Sequence, residues 1–134
     1  MAILHALSDV SDRAASRQGE EGAIEGLMTD PISSSVKMPV DCETMADVRA
    51  GVDQVDRELV ALLVRRFGYM DAAARIKPDR SAVRDEDRKT QVIDNAGDEA
   101  ARLGLEEDRI RAVWDELVEQ SIAYELSRWD ATRA

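Results

Sequence analysis

The chain has 134 residues, 44% hydrophobic and only 4% aromatic, with a formal net charge of -10; that length accommodates one domain with a modest core and excludes two. The acid surplus argues against a nucleic-acid partner, whose phosphates require abundant Lys and Arg, and no apolar run is long enough for a membrane partner or span. A single cysteine, Cys42, excludes an internal disulfide, and the absence of a basic-then-apolar leader predicts a cytoplasmic protein.

Residues 1–40 differ from the rest. Gly19, Gly22 and Gly26 punctuate a polar stretch, Asp30-Pro31-Ile32-Ser33-Ser34-Ser35 reads as a linker, and Ile3, Leu7 and Val10 suggest one short helix. This segment is expected to be a mobile N-terminal extension, with Met38 a second candidate start of translation. A helical domain then spans residues 41–134.

From Glu43 the pattern becomes helical. Met45, Val48, Val52, Val55, Leu59 and Leu62 recur three and four apart, and the series continues through Phe67, Met70 and Ala73 to Ile76. Pro78 stops it. A helix of about 30 residues runs roughly 45 Å at 1.5 Å per residue, against an ordinary length of about 11–12 residues. Two shorter helices of the same chain cannot cover so long a seam, which predicts a dimer whose long helices pair. A second helix is expected from Val83 to Leu103, with Val92, Ile93, Ala96 and Ala100 inward and Gly104 closing it. A third begins near Glu106 and Glu107, acidic residues suited to a helix N-terminus, and carries Ile110, Val113, Trp114, Leu117, Val118, Ile122 and Leu126. The fold class is all-α: three helices per chain, one very long.

Several chemistries are missing. There is no glycine-rich phosphate loop and no Cys/His metal spacing, and the one histidine, His5, lies in the extension. Any catalysis falls to Arg, Lys and carboxylates. Arg66 continues the apolar series of Val55, Leu59 and Leu62, and Lys77 follows 11 residues later, roughly 20° off the same face. Asp85 and Arg88 share the stripe that leads to Val92 and Ala96, and Ser121 and Glu125 extend the stripe of Trp114 and Leu117. Taken singly, each is an ordinary salt bridge or a snorkelling helix end. Together they aim an excess of cations at one interior, where unpaired charge costs several kcal/mol and a small anionic ligand supplies the missing partner. Arg49, 17 residues before Arg66, is turned roughly 100° away at helical pitch, and reaches such a site only from a partner chain.

The order Arg49, Arg66, Lys77, Val83-Arg84-Asp85-Glu86-Asp87-Arg88, Ser121 and Glu125 resembles the all-helical chorismate mutases, with similarity from about Asp41 to Trp129. Asp41-Cys42, Ala46-Asp47-Val48-Arg49 and Arg65-Arg66 also resemble that family's isochorismate pyruvate-lyase branch. The resemblance implies an intertwined homodimer with two equivalent sites. It implies a dicarboxylate substrate, chorismate, converted to prephenate in aromatic amino-acid biosynthesis. Arg49 resembles the arginine given by the neighbouring subunit to a substrate carboxylate, and Arg66 the one that binds a carboxylate within the subunit. Lys77 and Glu125 match the two residues at the ether oxygen, and Asp85, Arg88 and Ser121 match polar positions lining the pocket. Two positions depart from the commonest pattern. Glu125 stands where many members have glutamine. Lys89 stands where many have a glutamate on the substrate hydroxyl, so Lys89 is not counted as a site residue.

The rearrangement is pericyclic, with no proton transfer and no covalent intermediate, which suits a site without histidine or nucleophile. No cofactor or metal is implied. The arginines would grip the two carboxylates, while Lys77 and a protonated Glu125 would stabilise charge growing on the ether oxygen. Two alternatives remain open: isochorismate pyruvate lyase, an elimination giving salicylate and pyruvate, and a non-catalytic helical dimer that kept the scaffold.

Overall fold

The structure, a computed structural model, describes residues 36–134; the expected helix through Ile3, Leu7 and Val10 and most of the proposed extension lie outside them. A 3-10 turn, Pro39–Asp41, precedes three helices: α1 (Met45–Ile76), α2 (Glu86–Arg102) and α3 (Glu107–Thr132), with a second 3-10 turn, Arg80–Ala82, between α1 and α2. The all-helical class and the 32-residue first helix agree with the periodicity. The chain divides within α1, between Leu59 and Val60, into two units.

In the first unit, α1 opens on a reciprocal cap. Thr44 Oγ1 accepts from the Asp47 backbone N–H at 3.1 Å, while Asp47 Oδ2 accepts from the N–H groups of Thr44 (3.2 Å) and Glu43 (3.0 Å). The Glu43 N–H contributes most to holding the Asp47 carboxyl below its ordinary range, against a smaller opposing effect of burial, with Lys37 and Thr44 assisting. The apolar seam that follows is largely open. Val52 and Val55 are each 51% exposed and Leu59 48%.

The second unit holds the core. Val83, Val118 and Ile122 are buried, with Val92, Ile93, Leu126 and Trp129 packed around them, so α2 and α3 meet along the inward stripes. Val113, placed on the third helix's apolar set, is instead exposed. Gly97 is buried on α2, and a Cβ there would fall 2.7 Å from Arg111 Nε, so the missing side chain admits the guanidinium that pairs with Asp94. The second half of α1 meets α3 through polar contacts. Asp71 Oδ1 accepts from both Tyr124 Oη and Arg128 Nε at 2.9 Å, and Phe67 and Tyr124 pack edge to face.

Expected boundaries shift at one point. The second helix starts at Glu86, not Val83, because the Asp85 carboxylate caps it, accepting from the Arg88 backbone N–H at 3.0 Å. Its end matches the glycine signal. Gly104 has φ +89, and the N–H groups of Leu105 and Gly104 return to the carbonyls of Ala100 and Ala101, the glycine-terminated closure that spares a side chain the left-handed region.

Candidate active site

Six of the seven singled-out residues line one cavity of about 370 Å³ in the second unit: Arg66, Lys77, Asp85, Arg88, Ser121 and Glu125. The volume lies within the range for small-ligand pockets. Met70, Ala73, Val83, Val92, Val118 and Ile122 give it an apolar wall. Arg49 stands in the first unit, exposed on α1.

The floor comes from α3. Ser121 and Glu125, four residues and so one turn apart, are both buried. Ser121 Oγ donates to the Leu117 carbonyl at 2.7 Å and accepts from Arg66 Nη1 at 2.6 Å. Glu125 Oε2 accepts from Lys77 Nζ at 2.7 Å, an ion pair in which the carboxylate is nearly enclosed and the lysine is about one-third exposed. Lys77 sits one residue past the end of α1, where Pro78 ends the helix. Glu125 is therefore arranged first as an acceptor from Lys77, not as a free donor.

The arginines are differently placed. Arg66 is half-buried, and neither it nor Arg88 forms a salt bridge among the described residues. Arg66 has only the Ser121 hydroxyl, and Arg88 Nη1 only the neutral Gln91 Oε1 at 2.5 Å. Burial lowers the Arg66 pKa, and the Arg88 charge lowers it further, while a guanidinium stays protonated throughout. Two like charges thus face one cavity with neither guanidinium in a salt bridge among the described residues, the Asp85 carboxylate that also lines it being turned to the Arg88 backbone N–H, and the pair Lys77–Glu125 beside them is internally neutral.

A family model for chorismate mutase type II matches residues 48–126. The chain belongs to that family. The matched span contains all seven residues named from the sequence. Among curated proteins, isochorismate pyruvate lyase of Pseudomonas aeruginosa is 29% identical over 98 residues, covering 73% of this chain and 97% of the relative.

Set beside the family's sequence pattern, the cavity contains one residue that was left out. Lys89 lines it, with Nζ drawn to Glu119 Oε2 (2.9 Å) and Asp115 Oδ1 (3.2 Å) on α3. Those two carboxylates raise the lysine's pKa, Glu119 the more. Its position four residues after Asp85 puts it on the same helical face, a signal available from spacing alone. Asp85 and Arg88 were expected to point inward as buried stripe members. Both line the cavity yet are exposed at its mouth, because Asp85 is spent on the cap and Arg88 is the first-turn residue it caps.

Proposed function

We propose that the protein is a chorismate mutase. The carrying observation is the uncompensated pair Arg66 and Arg88, facing a small cavity that also holds the Lys77–Glu125 ion pair. A dianion of that size supplies the charge the site lacks, and guanidinium groups hold carboxylates with two parallel hydrogen bonds.

Holding both carboxylates folds the enolpyruvyl arm over the ring, so most of the acceleration is positioning. Lys77 has three N–H donors and gives one to Glu125. The others remain for the ether oxygen, on which negative charge grows as the C–O bond breaks. Asp85 and Ser121 hold the cap and the Arg66 side chain in place around the substrate. The apolar wall keeps the dielectric low, which strengthens each of these contacts.

Arg49 is assigned to the neighbouring subunit's site in a homodimer. The open seam of Val52, Val55 and Leu59 on α1 supports such a partner, since a contiguous apolar face this size is ordinarily covered.

The second reading is isochorismate pyruvate lyase, favoured by similarity to one such enzyme over nearly its whole length and by the shared Asp41-Cys42 opening. Asp85 and Ser121 favour the mutase. Purified protein assayed separately with chorismate and isochorismate decides between them. Prephenate from chorismate is expected; salicylate and pyruvate from isochorismate alone would establish the lyase, and turnover of neither would leave a non-catalytic helical module.

A further inference from the structure

The end of α3 reaches back to the end of α1 at the one residue whose side chain enters the cavity from that junction. Trp129 Nε1 donates to the Lys77 backbone carbonyl at 3.0 Å, and Arg133 Nη2 donates to the same oxygen at 2.8 Å. Arg133 Nη1 donates to the Ala74 carbonyl at 3.0 Å, and its guanidinium lies 4.2 Å from the Trp129 ring centroid. Helical continuation would give the Ala74 carbonyl the N–H of residue 78, but that residue is Pro78 and has none. Ala74 is fully buried, so water is a poor substitute, and Arg133 supplies the missing donor.

We propose that Trp129 and Arg133 are positioning residues for Lys77: a two-armed clamp on its backbone that fixes where Nζ stands against Glu125. This rests on the reading of Lys77 as the donor at the ether oxygen. Three hydrogen bonds and a stacked cation hold the main chain within two residues of the helix end, where fraying is otherwise greatest. The lysine side chain is long and only part-buried. Without a fixed root, its four-carbon stem would spread Nζ over several rotamers, and displacements near 1 Å cost about a hundredfold in a positioned reaction.

The test uses the full chain with Trp129→Phe, which removes the N–H and keeps the ring, and Arg133→Lys, which keeps charge but loses the planar fork. Each is measured alone and combined with Lys77→Gln. Each single variant is expected to lower kcat about tenfold to a hundredfold with KM within about threefold, and to add little once Lys77 is already replaced. A loss that persists in full on the Lys77→Gln background, or that falls on KM alone, overturns the proposal. If the parent protein turns over neither chorismate nor isochorismate, the functional reading fails separately. The clamp is then read from trace acetylation of Lys77 against Lys37 as internal reference. Severalfold faster labelling of Lys77 in both variants supports the clamp, and unchanged labelling rejects it.

Discussion

Arg66 shows what the site gives up to be a site. Its guanidinium is half-buried, stands near Arg88, and has a hydroxyl where a carboxylate would be stabilising. Replacing an uncompensated interior charge with an apolar side chain of similar length removes a desolvation cost. Arg66→Met is therefore expected to raise stability by about 1 kcal/mol while abolishing most turnover, the trade-off of a strained functional position. Ser121 keeps its bond to the Leu117 carbonyl either way. Urea unfolding of both proteins checks this, and a loss of stability would mean that Arg66 is structural. At Glu125 the balance differs. The carboxylate accepts from Lys77, and on the proposed reading it sets negative charge beside the oxygen where negative charge develops. Glu125→Gln offers an N–H donor without that charge. It should hold or raise kcat/KM at neutral pH. A loss of more than about tenfold would overturn the placement of Glu125 at the ether oxygen.

At the scale of elements, α2 and α3 are joined outside the core by a charged network centred on Glu119. Arg84 grips it with two nitrogens at 2.8 and 3.1 Å, and Lys89 adds a third contact. Arg84 foremost, then Lys89, pulls the Glu119 carboxyl from its ordinary 4.5 to about 2. A carboxyl whose folded pKa is depressed contributes stability above its unfolded pKa and loses it as pH falls through the folded one. Glu119→Gln should thus be less stable than the parent at pH 7, with the difference shrinking between about pH 4.5 and 2 and gone below. A difference that stays constant to pH 2 would show that Glu119 contributes by packing alone. Much at this scale was legible in the sequence, because three- and four-residue spacing survives any packing. Val48 to Ile76 reads as helix and Gly104 as a stop without tertiary knowledge. The start of α2 did not, since Val83 and Asp85 satisfy the apolar stripe and the cap pattern at once, and only the Arg88 N–H chooses between them. The Lys89 pairing and the contacts of Trp129 and Arg133 with the end of α1 were invisible for another reason. Each joins residues 26 or more positions apart, and periodicity carries no such information. Six of the seven candidate residues share a cavity because stripes on three helices predict which faces meet, even where they do not predict which partner each charge takes.

For the whole molecule, the decisive quantity is what covers the first half of α1. Met45, Val52, Val55 and Leu59 are each roughly half exposed, and Val48 is 37% exposed. Burying a valine or leucine fully is worth about 1.5–3 kcal/mol; with about half of that still to gain at each of five positions on two subunits, covering the seam contributes on the order of 8–15 kcal/mol, enough to offset a cost of association of about 4–15 kcal/mol. A homodimer at low micromolar concentration is the expected state, and light scattering returning the monomer mass would contradict it. Such a dimer would carry a catalytic consequence. At ideal helical pitch the 17 residues between Arg49 and Arg66 turn them roughly 100° apart, so one subunit is expected to supply Arg66 and its neighbour Arg49 to each site. Arg49→Ala and Arg66→Ala should each inactivate both sites of their own dimers. Unfolded together and refolded, the two variants form about half hybrids, and each hybrid has one intact site and one doubly defective site. Activity should return to about a quarter of the parent level, and only in the mixture. If hybrids form, as mass spectrometry with one isotopically labelled variant would show, and activity stays at the sum of the two variants, both arginines serve one subunit's site and Arg49 is not a trans contact.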